Sequence, residues 1–127
     1  MSEMRDPLKR ARGLGSAKTG VTHFMQQRIT AIALIVLSIW FVAMVLGMLH
    51  ADYASARAIV AQPLNSLVLI AFAIAVFWHT QLGLQVVIED YVHSRGLEVA
   101  MQIAVKLLCF LGALASVLAV IRIGLGS

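Results

Sequence analysis

One histidine, His79, stands near the middle of a long apolar run, and the acidic-aromatic pair Asp90-Tyr91 follows eleven and twelve residues later, where that run gives way to polar sequence. An ionisable side chain at bilayer depth is costly and marks a functional site. Neutral imidazole is also a common metal ligand, and it binds without bringing a charge into lipid. On a helix, which turns about 100° and rises about 1.5 Å per residue, Asp90 returns to within about 20° of His79, and Tyr91 lies about 18 Å further along the axis. Gly83 shares the His79 face and Ala75 flanks it, so bulk is low where a flat macrocycle would pack.

This pattern suits electron transfer at a membrane surface. Porphyrin iron accepts a histidine nitrogen as an axial ligand. A quinone ring accepts hydrogen bonds at its carbonyls and needs two protons on reduction. A phenol at the interface donates to such a carbonyl, and a neighbouring carboxylate orients the phenol or relays protons from water. Structural readings stand beside each assignment. A membrane histidine also serves as an interhelical hydrogen-bonding group, and Gly83 as a helix-packing residue. Tyr91 also fits an interfacial aromatic belt, and Asp90 a solvated loop charge. His23, His50 and His93 lie in polar segments and read as surface groups. Trp40 and Trp78 read as packing or lipid-facing residues. Lys106 reads as a snorkelling lysine, with an anion such as a propionate as its alternative partner.

The elements that must position these residues follow from composition. The chain has 127 residues, of which 61% are hydrophobic and 13% charged, whereas soluble domains carry about 25% charged residues. A helix needs about 20 apolar residues to cross the hydrocarbon core. Three segments qualify, at about 29–49, 67–88 and 99–123. Strands of a membrane barrel would alternate over segments of about ten residues, and these runs do not. The expected fold is all-α and integral to the membrane, with three transmembrane helices in a single domain over residues 1–127. The first run does not read as a cleaved signal peptide, because it follows 28 residues of more polar chain and lacks a small-residue cleavage site. The one cysteine, Cys109, lies in the third span and reads as a buried thiol.

The formal net charge of +4 is chiefly a statement about orientation. Arg5, Lys9, Arg10, Arg12, Lys18 and Arg28 precede the first span, whereas Arg57 alone is basic in the loop after it. The positive-inside rule then puts the N-terminus in the cytoplasm (or matrix) and the C-terminus, with Arg122, on the periplasmic side. The basic N-terminal segment lacks interleaved aromatics, so a nucleic-acid partner is not expected. Residues 1–20 carry Pro7, Gly13, Gly15 and Gly20 and read as irregular, with Thr22 as an N-cap and helix from Val21. Residues 50–62 read as a short mixed loop, Pro63 as the start of the second helix, and Gly96 as the end of its cytoplasmic extension or of the loop after it.

His79 is the only histidine expected at membrane depth, and no methionine in the spans stands out as an alternative ligand. A six-coordinate haem would therefore take its second ligand from another polypeptide.

The stretch from His79 to Asp90-Tyr91 resembles the second helix of the hydrophobic membrane anchor (D) subunit family of succinate dehydrogenase. The run Gly13-Leu-Gly-Ser-Ala-Lys-Thr-Gly-Val-Thr-His23-Phe24, with Gln27-Arg28-Ile-Thr30-Ala31 after it, is similar to the alphaproteobacterial and mitochondrial type. Met25 departs from it, since an aromatic residue is expected after His-Phe. The resemblance covers roughly residues 13–93. It implies that His79 is an axial ligand of haem b, shared with a larger cytochrome b556-type anchor subunit. It also implies that Tyr91 hydrogen-bonds ubiquinone, that Asp90 belongs to the quinone site or its proton path, and that Arg28 lies near the haem propionates and the quinone. The implied partners are that anchor subunit, an iron–sulfur subunit and a flavoprotein subunit. The implied location is a bacterial inner membrane or the mitochondrial inner membrane, and the implied role links succinate oxidation to the respiratory chain in complex II. Two readings compete: a small transporter with His79 and Asp90 as a proton relay, and a structural assembly subunit that needs neither His79 nor Tyr91.

Overall fold

In the computed structural model, which describes residues 18–126, the chain is four α-helices: α1 (Lys18–Gly47), α2 (Tyr53–Ala61), α3 (Pro63–Tyr91) and α4 (Arg95–Gly124). No strand occurs among the described residues. Three of the helices, α1, α3 and α4, are long and apolar enough to cross a membrane. At 29 or 30 residues each they are about 45 Å long, against a hydrocarbon core of about 30 Å. Their ends therefore pass through the headgroup region or the helices tilt. The protein is a multi-pass membrane protein.

The helices form a row rather than a closed bundle. Helix α3 packs against α1 on one side and α4 on the other, and α1 does not touch α4 among the described residues. On the α1 side, Phe41 and Phe72 stack with ring centroids 4.6 Å apart. On the α4 side, the close approach centres on Gly112, where a Cβ would stand 2.5 Å from Phe77 Cε1. Little surface is buried: among the described residues, Ala75, Leu82 and Ile88 are the buried apolar ones, all on α3. Lipid replaces a protein core around such helices, because acyl chains are as apolar as leucine.

Several expectations from sequence need correction. Residues 18–20 are helical, so the expected irregular segment over 1–20 stops earlier; residues 1–17, with Pro7, Gly13 and Gly15, lie outside the described residues. Thr22 is inside α1 and not its cap. A single glycine such as Gly20 costs a helix only about 1 kcal/mol, too little to end one. The segment over 50–62 is not a plain loop but holds α2. Its N-cap is Asp52, whose Oδ1 accepts the Ser55 backbone N–H at 3.1 Å, and this satisfies one of the orphan donors of a helix start. Gly96 is the second residue of α4 and ends nothing; the break between α3 and α4 is the three-residue connection at 92–94. Pro63 does open α3, where its missing N–H has no bond to lose.

Asn65 and Ser66 lock the α2–α3 corner. Asn65 Nδ2 donates to the Ile59 carbonyl at 2.8 Å and Ser66 Oγ donates to the Val60 carbonyl at 2.7 Å. Trp40 Nε1 donates to Asn65 Oδ1 at 3.3 Å and ties α1 to the same corner. A transporter path through this half of the row would need polar side chains free to line it, and these are consumed by local bonds.

Candidate functional site

Helix α3 carries His79 two residues from its midpoint, so the imidazole sits about 3 Å from the centre of the span. The side chain is half-buried and turns toward α1. Its Nδ1 lies 3.0 Å from Thr30 Oγ1. Thr30 is 7% exposed and is the buried polar residue among those described. Its hydroxyl also lies 2.9 Å from the Gln26 carbonyl and 3.1 Å from the Gln27 carbonyl. Such a back-bond to the preceding turn is the usual way a threonine satisfies its hydroxyl inside a helix. His79 Nε2 has no partner among the described residues, and it is not enclosed by them.

One turn along, Gly83 faces Gln27: a Cβ there would lie 3.7 Å from Gln27 Nε2. The antiparallel register is therefore Thr30 beside His79 and Gln27 beside Gly83. Gly83 serves the approach of α1 to α3, with room for one more methyl group. Ala75 is buried within the row. His23 continues the stripe of His23, Gln27 and Thr30, spaced four and three residues apart on one face of α1. It is not the surface group its polar segment suggests. Its Nε2 is buried without a partner among the described residues, as is Gln27 Oε1.

The structure does not bring the remaining expected residues to His79. Asp90 and Tyr91 end α3, about 18 Å from the imidazole level. Both are exposed, Tyr91 at 77%, and neither makes a hydrogen bond among the described residues. Arg28 stands about 160° around α1 from Thr30 and about 3 Å from its level. It is exposed, and its guanidinium lies 5.2 Å from the centre of the Phe24 ring. Along the axis it is at the depth of His79 and about 15 Å from that of Tyr91. A groove of about 510 Å³ lies elsewhere, between α3 and α4, with Phe77, Trp78, Lys106 and Phe110 in its wall. Lys106 is exposed there, and Cys109 is half-buried and free.

Sequence comparison settles the family. A model of the succinate dehydrogenase/fumarate reductase transmembrane subunit matches residues 2–113. The chain belongs to this family. Members at comparable length include the succinate dehydrogenase hydrophobic membrane anchor subunit of Rickettsia bellii, 36% identical over 118 residues, which are 93% of this chain and 94% of that one. The subunit of the same name from Paracoccus denitrificans is 30% identical over 121 residues, 95% of this chain and 93% of its own. That of Rickettsia typhi is 29% identical over 111 residues, 87% and 89% of the two chains. The family match covers the first two spanning helices and ends within the third, and an anchor role in the membrane follows from the family and its named members.

One residue that matters at this site was missed from sequence, Thr30. Its signal was present: on a helix from Val21, positions 23, 27 and 30 already fall on one face as a polar stripe.

Proposed function

We propose that this chain is the smaller membrane anchor of a succinate:ubiquinone oxidoreductase, that it supplies one axial ligand to a b-type haem, and that it forms part of the quinone-reduction site. The observation that carries this reading is the half-buried His79 at mid-span, with one ring nitrogen held by Thr30 and the other open. The donor set fits one side of a haem, since a single imidazole at that depth leaves the second ligand to the larger anchor subunit. Arg28, whose backbone lies within about 3 Å of the His79 level, supplies a cation to a propionate by reaching round α1. When bound, a b-type haem supplies a one-electron carrier. This chain's own contribution is to hold an imidazole at a fixed depth and to keep water from it with apolar helices.

Tyr91 and Asp90, exposed at the end of α3, face the surface where a quinone head group and water meet. The Tyr91 hydroxyl donates to a quinone carbonyl. The Asp90 carboxylate, back on the His79 face, orients the phenol or takes up protons from water. The N-terminus is cytoplasmic (or in the matrix) and the C-terminus periplasmic, in a bacterial inner membrane or the mitochondrial inner membrane. The iron–sulfur and flavoprotein subunits dock on the side where α3 ends. Residues 1–127 act as one membrane-anchor domain.

The test is the visible spectrum of the purified complex. Wild type is expected to show a reduced b-type band, and His79→Leu to lose or shift it while the subunits still assemble. An unchanged band in that variant, or a wild-type complex without haem, refutes the reading.

A further inference from the structure

Resting on the haem reading above, we propose that Thr30 is a positioning residue for the haem: it fixes His79 in the tautomer that carries its proton on Nδ1 and leaves Nε2 free to bind metal. The argument is a count of protons around one oxygen. Thr30 Oγ1 has three polar neighbours: the Gln26 carbonyl at 2.9 Å, the Gln27 carbonyl at 3.1 Å and His79 Nδ1 at 3.0 Å. A hydroxyl owns one proton and two lone pairs, and a carbonyl only accepts. The hydroxyl proton therefore goes to the preceding turn, and the lone pair left facing α3 needs a donor.

Only the imidazole can supply one. With the proton on Nδ1 the imidazole donates to Oγ1, and the hydroxyl proton is left to the two carbonyls of the preceding turn, with no two lone pairs facing each other between α1 and α3. With the proton on Nε2, three acceptors compete for a single hydroxyl proton, and at least one lone pair faces another across about 3 Å. In water such a mismatch is repaired by solvent. Here Thr30 is 7% exposed and sits in a span, so the mismatch would cost what an unsatisfied buried polar group costs.

The consequence for chemistry is direct. A ligating histidine whose far nitrogen donates a hydrogen bond is held in orientation and made more basic. Thr30 does this from α1, although the ligand stands on α3, so the α1–α3 packing becomes part of the metal site. The hydroxyl is itself held: threonine is branched at Cβ with few rotamers, and its bonds to the α1 backbone fix Oγ1 where Nδ1 arrives.

Two variants separate hydrogen bonding from packing. Thr30→Val keeps the shape and removes the acceptor; Thr30→Ser keeps the hydroxyl and removes the methyl group. Each purified complex is challenged with excess apomyoglobin, and transfer of haem is followed optically. Potentiometric titration of the haem band gives a second readout. Thr30→Val is expected to weaken haem retention by roughly 10- to 100-fold and to raise the midpoint potential, because a less basic imidazole stabilises ferric iron less well. Thr30→Ser is expected to match wild type in both.

A packing role gives the reverse order, with Val benign and Ser harmful, and that result overturns the proposal. So does a Thr30→Val complex with wild-type retention and potential. If Thr30→Val does not assemble, Thr30→Ala against Thr30→Ser makes the same comparison, with the same expectations. His79→Leu, run alongside, distinguishes the two levels. Loss of the band there with a wild-type Thr30→Val refutes the Thr30 role alone, whereas a retained band in His79→Leu refutes the haem reading beneath it.

Discussion

Adding one methyl group at each of two glycines of the row should have opposite consequences. At Gly112 on α4, a Cβ would stand 2.5 Å from Phe77 Cε1 and 2.7 Å from Cζ, far inside the 3.5–4.0 Å at which carbon atoms attract. The Phe77 ring is wedged between α3 and α4 and has to move, so Gly112→Ala carries an overpacking cost of about 1–3 kcal/mol. At Gly83 the added Cβ would meet Gln27 Nε2 at 3.7 Å, an ordinary contact. Both substitutions gain the same helix propensity, up to about 1 kcal/mol, so the difference between them isolates the clash. That difference corresponds to roughly 5- to 150-fold in an unfolding equilibrium. The assay is unfolding of the detergent-solubilised complex across an SDS titration, with Gly83→Ala as the reference. Phe77→Leu in the Gly112→Ala background should recover most of the loss, because the two sites are in contact and their effects are coupled. Equal midpoints for the two alanine variants, or no rescue by Phe77→Leu, would show that α4 is not seated on α3 at this point.

Tyr91→Phe should lower succinate-driven quinone reduction several-fold and leave the haem band and assembly unchanged, since it deletes an exposed hydroxyl that packs against nothing here; wild-type turnover would remove Tyr91 from the quinone site. Asp52 predicts a pH dependence at the opposite end of α3. The Ser55 side chain, and then its backbone N–H, hold the Asp52 carboxyl below its usual 3.8. A depressed folded pKa means that the cap's contribution is complete above that usual value and is lost as pH falls through the lowered one. The difference in hydrogen exchange of the α2 amides between wild type and Asp52→Asn, which keeps an acceptor without a charge, should therefore stay constant from pH 7 to about 4, and wild-type exchange should quicken relative to the variant below; a change in that difference above pH 5 would contradict it.

The three spans were legible because nothing competes with runs of about 20 apolar residues. Their ends were not, because helices continue past the hydrocarbon for as long as local propensity allows, as α1 does through Gly20 and α4 through Gly96. Helix α2 was hidden by its length of nine residues, although Asp52 three residues before Ser55 was a readable cap. His79 announced itself by type and depth, and Asp90-Tyr91 by their place at a span's end. Thr30 did not, since a threonine in an apolar run is unremarkable until the register sets it beside an imidazole 49 residues away. The depth of Arg28 needed that same register. His23 was misread because a polar first turn suggests solvent; only the packing of α1 on the rest of the row encloses its Nε2, at the end of the stripe it shares with Gln27 and Thr30.

That stripe also explains why a row of helices makes sense as part of a larger assembly. Apolar side chains facing outward from α1, α3 and α4 cost nothing in lipid. Polar atoms without partners do, by several kcal/mol each. His23 Nε2 and Gln27 Oε1 are such atoms, and His79 Nε2 joins them along the same α1–α3 seam, all in the half of the row that ends at Tyr91. In the other half, Asn65, Ser66 and Trp40 make their bonds within the chain. Evenly spread loose ends would suit a chain with neighbours on every side. That the two buried orphans, His23 Nε2 and Gln27 Oε1, share one face of α1 suits a chain whose remaining bonds on that face are made by a neighbour in the membrane.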